Sequence, residues 1–394
     1  MEKTNQPKLL LGIFIIFIIV FLNALGPFFQ LQQIVTLGLL PFLAGIAFIY
    51  DSNSFHSNKK EFFIFLTLFI LSLITIYYYK GYDEYTTSLS SLFGAVISAY
   101  IVIGLVTNVN YSIYFHIGYI LSILFLFGIM VINGNITTDF ASALAVRDRF
   151  LLNANAYSYF CVFANFSLFY LYLKFKNRLI LILLLVLPLL FLIIAFTTQS
   201  RAGLLLITLI NICFWIFVNK PKTINSFYKV FRKLIILISI LLLAFQFIKI
   251  YEGSRIQNRV EIKENTKDSR ELLIEKGIEV FQENPIFGVG LGQFPLYNKF
   301  GLFTHNSYTE ILAEQGLVGG ILLFSLFLIP TFKSYRNYRR DKKNPLYKFY
   351  LLFFITFLIY NNFYVFYKFP FSMMYFFLII TLQKRDTTFQ INRE

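Results

Sequence analysis

Long apolar runs separated by short polar clusters fill most of the chain, from Leu9 to Leu382. Because a bilayer core needs about 20 apolar residues in one helix, runs of that order predict membrane-spanning helices. The predicted fold class is therefore an all-α polytopic membrane protein with about twelve transmembrane helices, in which residues 1–394 form a single membrane domain. The predicted spans are residues 9–25, 32–50, 62–79, 91–108, 112–132, 154–173, 179–197, 203–218, 233–250, 316–332, 349–367 and 371–383.

One substantial polar interruption, residues 251–315, separates the ninth predicted span from the tenth. We predict that it forms one large extracytoplasmic loop. Within it, Ile274, Ile278 and Phe281 recur at i, i+4 and i+7, a spacing that is typical of an amphipathic helix. Such a helix can lie on the membrane surface, with Arg270 in its first turn.

Composition agrees with the membrane class. The chain is 57% hydrophobic and only 14% charged, whereas soluble globular chains are about one quarter charged. A net charge of +15 would suit a nucleic-acid partner, but the basic residues lie in short loops between apolar runs and form no soluble basic face, so no nucleic acid is expected. Segments such as 333–348 are densely basic, which places them and both termini on the cytoplasmic side by the positive-inside rule.

The same orientation leaves arginine in three segments that are predicted to lie outside, residues 133–153, 198–202 and 251–315. Positive charge on the outer side runs against the topological trend. Charge at the membrane edge is costly and usually functional, so an anionic ligand on the outer face is one explanation for these arginines.

The arginines of these segments each have a structural and a functional interpretation. Arg201 stands between two strongly apolar runs, where it either snorkels to the interface or contacts a phosphate through its guanidinium fork. Arg270 is either an ordinary helix-surface charge or an anion contact. Arg147 and Arg149 would add positive charge near the same face, although each can also pair with a neighbouring aspartate.

His305 is the outer-facing histidine of the predicted topology and stands at the mouth of the tenth span. A side chain that titrates near neutral pH suits a general base. Glu310 and Glu314 face the same side, so a carboxylate base is an alternative. The sequence has no His-Glu-x-x-His, cysteine-cluster or paired-carboxylate pattern, so we expect neither a metal site nor a cofactor.

Three motifs follow one another in the second half of the chain. Ser200 to Gly203 reads Ser-Arg-Ala-Gly at the start of a predicted helix, and Arg270 precedes Asn284 to Phe294, which reads Asn-Pro-Ile-Phe-Gly-Val-Gly-Leu-Gly-Gln-Phe. His305-Asn306 is then followed by Glu314-x-Gly-x-x-Gly. In residue types, order and spacing, the chain resembles the O-antigen polymerase and O-antigen ligase superfamily of bacterial cell-surface polysaccharide assembly.

The resemblance implies a metal-independent glycosyltransferase whose donor is an undecaprenyl-diphosphate-linked glycan. It implies that Arg201 and Arg270 hold the diphosphate and that His305 activates the acceptor hydroxyl. It also implies membrane lipid, a flippase and a chain-length regulator as partners. The further substrate-binding candidates are Ser200, Arg147, Arg149, Asn306 and Glu314.

Acceptor identity separates the activities within this superfamily. A polymerase transfers the growing chain to another lipid-linked repeat unit, a ligase transfers it to a lipid A core, and related enzymes transfer it to protein. We predict the polymerase, the most widespread branch, acting on the outer face of the bacterial cytoplasmic membrane. A non-enzymatic alternative is a flippase or exporter of the same lipid, but transporters often contain internal repeats and the two halves of this chain show no convincing repeat.

Overall fold

The computed structural model describes residues 6–26, 31–50, 59–78, 80–108, 111–134, 136, 154–198, 200–219 and 269–391. Within these ranges every regular element is helical, which confirms the all-α class. We number the main α-helices α1 Gln6–Val20, α2 Leu40–Tyr50, α3 Lys60–Ile74, α4 Tyr82–Asn108, α5 Ser112–Ile132, α6 Ala154–Phe175, α7 Arg178–Thr197, α8 Arg201–Cys213, α9 Ser269–Glu283, α10 Ser307–Arg340, α11 Pro345–Tyr360 and α12 Pro370–Ile391. Short π-helical or 3-10 segments extend or precede four of them: Phe21–Leu25 after α1, Val35–Leu39 before α2, Thr75–Tyr78 after α3 and Phe214–Val218 after α8.

Eleven of the predicted spans overlap these helices and their extensions, although the span 349–367 runs past the end of α11 at Tyr360, and the ninth, 233–250, lies outside the described residues. Six described helices are long and apolar enough to cross a membrane, and three shorter apolar helices accompany them. The protein is therefore a helical membrane protein. The count of twelve spans and the outer position of the 251–315 loop stay predictions.

Three helices reach eight or more residues beyond the predicted spans. Helix α4 begins at Tyr82 instead of residue 91, α10 begins at Ser307 instead of residue 316, and α12 continues to Ile391. Hydropathy locates only the part of a helix that suits hydrocarbon, whereas the helix itself begins and ends where its terminal backbone groups find partners. The two and a half extra turns at the start of α10 carry Glu310 and Glu314, two of the candidate residues.

The described residues belong to two compact units. One unit is drawn from Met1–Ile123 and Ser269–Glu394, and the other from Leu124–Asp268. The second unit contains α6, of whose membrane-length segment 94% is buried, packed against α7 and α8. There the rings of Phe169 and Phe214 stack with centroids 4.0 Å apart.

Helix α12 forms the core of the first unit. Residues 370–384 are all buried, so the helix is enclosed on every side, as expected for a helix that is apolar all round. It packs mainly along α4. Its aromatic rings contact α11, where Phe376 stacks on Phe357 at 4.7 Å, and α5, where Tyr375 meets Tyr119 edge-on at 4.7 Å.

The carboxyl ends of α10 and α12 meet in a polar layer. Lys384 on α12 forms a buried ion pair with Glu61, the second residue of α3, at 2.5 Å. Nearby, Gln383 Nε2 donates to Ser334 Oγ at 2.6 Å. Buried polar side chains in a membrane protein are costly unless they are paired, so these contacts fix the register of the three helices at this end.

Helix α10 is broken at Gly316, whose φ of 62° and ψ of −156° are not helical. A break frees backbone groups that a continuous helix would pair internally. The loop that follows α9, residues 285–290, which we call the glycine loop, inserts its own backbone here and satisfies four of them. The four hydrogen bonds run from Val289 N–H to the Ala313 carbonyl (3.0 Å), from Gly290 N–H to the Glu314 carbonyl (2.8 Å), from Leu317 N–H to the Pro285 carbonyl (2.8 Å) and from Val318 N–H to the Ile286 carbonyl (3.2 Å).

Glycine is required on both sides of this contact. Gly288 has a φ of 65°, and a Cβ added there would lie 2.6 Å from the Ala313 carbonyl oxygen. A Cβ added at Gly316 would lie 2.6 Å from the Phe287 nitrogen. Backbone packs directly on backbone, so the Asn-Pro-Ile-Phe-Gly-Val-Gly and Glu-x-Gly motifs form one structural unit.

We expect Gly288→Ala to lower the thermal unfolding temperature in detergent much more than Gly301→Ala. Both glycines have positive φ, 65° and 60°, so both substitutions incur the left-handed cost of about 1–2 kcal/mol. An added Cβ meets nothing within 4 Å at Gly301, whereas at Gly288 it overpacks the α10 backbone, which typically costs about 1–3 kcal/mol more. Equal losses in the two variants would contradict the close-contact account.

Candidate functional site

His305 stands in a tight turn immediately before α10. Its φ of 57° lies in the left-handed region, which histidine tolerates better than most side chains but still at a cost in free energy. The imidazole is half-buried between two aromatic rings, with centroid distances of 4.3 Å to Phe303 and 6.2 Å to Tyr364. The turn therefore holds the ring in one orientation beside the helix start.

Hydrogen bonds on both sides hold this turn in place. On the preceding residue, the Thr304 N–H donates to Glu310 Oε2 at 2.7 Å and the hydroxyl donates to the Asn306 carbonyl at 2.8 Å. On the following residue, Asn306 Oδ1 accepts from the N–H groups of Tyr308 (2.9 Å) and Thr309 (3.2 Å), which makes Asn306 the cap of α10. Asn306, predicted to bind substrate, thus has a clear structural role.

Ser307 ties the start of α10 to the connection between α11 and α12. Its N–H donates to the Asn361 carbonyl at 2.8 Å, and its hydroxyl oxygen lies 2.6 Å from Asn361 Oδ1 and 2.9 Å from the Tyr364 carbonyl. The same oxygen accepts from the Phe366 N–H at 3.0 Å. The connection that carries Tyr364, one of the two rings beside His305, is thereby fixed to the helix start.

A buried lysine completes the site, and sequence reasoning missed it. Lys368 Nζ lies 3.1 Å from Glu310 Oε1 and 2.5 Å from Glu314 Oε2, and all three side chains are at least 91% buried. Burial alone lowers the pKa of Lys368, but the carboxylates of Glu314 and Glu310 raise it above the usual value for lysine, so the ammonium stays charged at neutral pH. The available signal was a single lysine in the aromatic stretch before Pro370.

Glu314 was predicted to bind substrate, and the structure places it in this ion pair instead of in an open cleft. The position four residues after Glu310 puts both carboxylates on one face of α10, where one ammonium serves both. Among the described residues, no group of three or more His, Cys, Asp or Glu side chains is placed to hold a metal ion.

Helix α9 packs against the turn that holds His305. Leu273 and Val280 are buried in a small core with Val289, Phe294 and Ala313. Between them, a Cβ added at Gly277 would lie 2.6 Å from Thr309 Cγ2 and 3.1 Å from Thr304 Cγ2. Glycine here lets α9 closely approach Thr304, directly before His305, and Thr309, in the first turn of α10.

The helix expected around Arg270 is present, but the prediction of its apolar stripe was shifted by one residue. The stripe that faces the protein is Leu273, Gly277 and Val280. The predicted stripe lies on the neighbouring face, where Ile278 is 46% exposed. A glycine that packs closely does not register as apolar in a hydropathy pattern, which explains the shift.

Arg270 lies in the first turn of α9. It precedes Gly277 by seven residues, about 10 Å along the helix axis. The side chain is half-buried, and none of the residues that the structure describes forms a hydrogen bond or ion pair with its guanidinium.

The remaining candidates belong to the second unit. Ser200 is the N-cap of α8, and its Oγ accepts a hydrogen bond from the Gly203 N–H at 3.2 Å. Gly203 packs closely, since an added Cβ would lie 2.5 Å from Ser158 Cβ on α6. Arg201 is the first residue of α8. Arg147 and Arg149 lie outside the described residues, so their role stays a prediction.

The first unit thus brings His305, Asn306, Glu314 and the helix of Arg270 together, whereas Ser200 and Arg201 stand at a helix start of the second unit.

A protein-family model matches the segment that contains most of these candidate residues. Residues 186–324 match the family model described as O-Antigen ligase, a range that includes the start of α8, helix α9, the glycine loop and the break in α10. No curated protein matches the chain at a significant level of similarity. Over residues 186–324 the chain therefore carries an O-antigen ligase family domain, which supports the resemblance to the O-antigen polymerase and ligase superfamily that the motifs indicate.

Proposed function

We propose that the protein is a glycosyltransferase that joins undecaprenyl-diphosphate-linked oligosaccharide repeat units into a surface polysaccharide on the outer face of the bacterial cytoplasmic membrane. The observation that carries this proposal is the left-handed turn of His305, with its φ of 57°, at the start of a long apolar helix and inside the family-matched segment. A half-buried histidine held in this way can take a proton from an acceptor hydroxyl.

The proposed reaction needs few protein groups. The acceptor oxygen forms a bond to the anomeric carbon of the donor glycan, and the bond from that carbon to the diphosphate oxygen breaks. The hydroxyl proton passes to His305, and the electron pair of the broken bond stays on the lipid diphosphate. Because a diphosphate is already a good leaving group, positioning, a base and positive charge suffice. Attack opposite the diphosphate inverts the anomeric centre.

Arg270 is proposed to bind the diphosphate. Its guanidinium has no partner among the described residues, and α9 packs on the threonines beside His305. On α9 it lies two turns before the buried Gly277 and one turn before the half-buried Ile274, so it stands at the border between the protein-facing side of the helix and the exposed side. A guanidinium fork in such a position suits a phosphate.

Arg201 is proposed as the second phosphate contact. It opens α8, and the first-turn N–H groups of a helix, together with the helix dipole, favour an anion at this end. Ser200 accepts one of those N–H groups and so fixes the geometry of the turn.

The two ends of α10 support the proposed orientation. The carboxyl end carries Arg339 and Arg340 in its last turn and leads into the basic 341–348 connection. The positive-inside rule assigns that end to the cytoplasm. Since α10 has 34 residues, about 50 Å at 1.5 Å per residue, its amino end with His305 is assigned to the outer face.

A ligase is the second candidate, and one observation favours it: the matching family model is itself described as O-Antigen ligase. The two activities share donor, base and phosphate contacts and differ in the acceptor. A flippase or exporter for the same lipid would not require a base held in a strained turn.

We expect His305→Gln to abolish polymer formation in a deletion strain that makes the polysaccharide. The substitution removes the base, a loss of about 10² to 10⁴ in rate. Polysaccharide length on a gel, at matched membrane levels of wild type and variant, is the measurement. If the variant strain carries only a single attached repeat unit, the protein is a polymerase. If full-length polymer stays on the lipid carrier, it is a ligase. Normal attached polymer in the variant strain would contradict the assignment of His305.

Arg270→Ala is expected to lower the rate by about 10² to 10³, because it removes one charge contact to the leaving group. Lys276→Ala is the matched control, since Lys276 is an exposed basic residue of the same helix that pairs with Glu279 at 2.9 Å. The rate is measured with purified protein and lipid-linked repeat units. Equal losses in both variants would mean that helix charge in general, and not the Arg270 contact, supports the reaction.

We also propose that α9 and the glycine loop lie at the membrane surface. Ile278, Ile286 and Phe287 are 46%, 59% and 46% exposed. The loop is hydrogen-bonded to α10 at Leu317, which is itself 53% exposed on an apolar span. The exposed apolar residues of the loop therefore continue the apolar surface of the span.

This placement can be measured with tryptophan fluorescence, because Trp215 is the single tryptophan of the chain. In a Trp215→Phe background, a tryptophan introduced by Phe287→Trp is expected to be quenched by brominated lipids. One introduced by Glu283→Trp, at an exposed position on the polar side of α9, is expected to be quenched much less. Equal, weak quenching at both positions would place the helix away from the membrane.

A further inference from the structure

Lys368 has no part in the family motifs, yet it is bound to two of the carboxylates beside His305. We propose that Lys368 is a positioning residue: through Glu310 it holds the left-handed turn in which His305 works. The effect on catalysis that we expect from Lys368 rests on the proposed function, whereas its contacts with Glu310 and Glu314 do not.

The connection from lysine to histidine passes through one carboxylate. Glu310 uses its two oxygens differently, since Oε1 contacts Lys368 Nζ at 3.1 Å and Oε2 accepts the Thr304 N–H at 2.7 Å. Thr304 is the residue directly before His305. The ammonium therefore fixes the orientation of the carboxylate that holds the backbone at the beginning of the strained turn.

The same ammonium reaches the break in α10. Its second contact is Glu314 Oε2 at 2.5 Å, and the backbone carbonyl of Glu314 accepts the Gly290 N–H of the glycine loop at 2.8 Å. One charged group thus links the His305 turn, the broken helix and the turn that enters α12. The Lys368 ammonium therefore fixes the position of His305 relative to the glycine loop.

Charge, rather than packing alone, is needed at this position. A buried ion pair is seldom more stabilising than apolar side chains of the same volume. What an apolar residue cannot do is orient a carboxylate so that its other oxygen receives a backbone N–H. The value of Lys368 is therefore geometric, and a misplacement of a reacting group by about 1 Å can lower a rate by about 10².

The protein supplies a matched control for the loss of a buried lysine. Lys384 also contacts a glutamate at 2.5 Å, its side chain is equally buried at 9% exposure, and it lies in the polar layer at the carboxyl end of α12. Lys384→Met removes a comparable charge from the same unit without touching the His305 turn. Both variants share the general cost of an uncompensated buried carboxylate.

The first measurement is amide hydrogen exchange at Thr304 and its neighbours in the purified full-length protein. We expect Lys368→Met to raise exchange in the peptide around His305 at least about tenfold, because the carboxylate that receives the Thr304 N–H is no longer held. Lys384→Met is expected to leave that peptide unchanged. Unchanged exchange in Lys368→Met would overturn the inference whatever the protein catalyses.

The second measurement is the transfer reaction itself, with kcat and KM for the lipid-linked donor normalised to folded protein. Lys368→Met is expected to lower kcat by about 10 to 100-fold with KM changed by less than about threefold, and Lys368→Arg is expected to recover most of it. Equal loss of kcat in the Lys368→Met and Lys384→Met variants would overturn the positioning role.

These readouts separate the two proposals. If wild-type protein transfers no glycan while exchange responds to Lys368→Met alone, the proposed function fails and the link between Lys368 and the turn stands. If His305→Gln abolishes transfer but Lys368→Met leaves kcat unchanged, the proposed function stands and the positioning role is overturned.

Discussion

Backbone hydrogen bonding is the constraint on which the rest of this structure depends. In hydrocarbon no water is present to satisfy an open N–H or carbonyl, so a membrane helix is interrupted only where other protein groups replace its internal bonds. Helix α10 is interrupted at Gly316, and the loop from Pro285 to Gly290 provides the replacement. Once the loop is bound there, α9 is held against the start of α10. These backbone contacts therefore place α9 beside the turn that carries the candidate base.

Polar side chains then stabilise what the backbone contact arranges. The His305 turn is irregular, and left-handed geometry costs free energy that its surroundings must offset. They do so with charge and with hydrogen bonds to the main chain: Glu310 on one side, Asn306 on the other and Ser307 beneath. Glu310 and Ser307 are fixed in turn by groups outside α10, namely Lys368 and the connection between α11 and α12. A flexible loop carrying the same histidine would have to order it at each encounter with substrate.

Sequence reasoning located this region and missed part of its construction. Hydropathy gave the helices because the apolar content of a span is a local property, and the motifs gave His305 and Arg270 because those residues recur in a known order. The stripe on α9 was shifted because Gly277 contributes packing surface without hydrophobicity. Lys368 was missed because its partners lie 58 and 54 residues earlier in the chain, and no local pattern pairs residues at that separation. The break at Gly316 was likewise visible only once the loop that fills it was in place.

The enclosed position of α12 has a consequence for how the molecule is made. This helix follows every other described helix in the chain, yet it is buried on all sides and packs along α4, which precedes it by more than 250 residues. The earlier helices are therefore synthesised first, and the groove that α12 fills stays empty until synthesis has passed Pro370. Lys368 arrives two residues before that point. The ion pair beside His305 therefore forms at the same late stage at which the groove is filled, and a chain that stops short of Lys368 lacks the contact that holds the His305 turn.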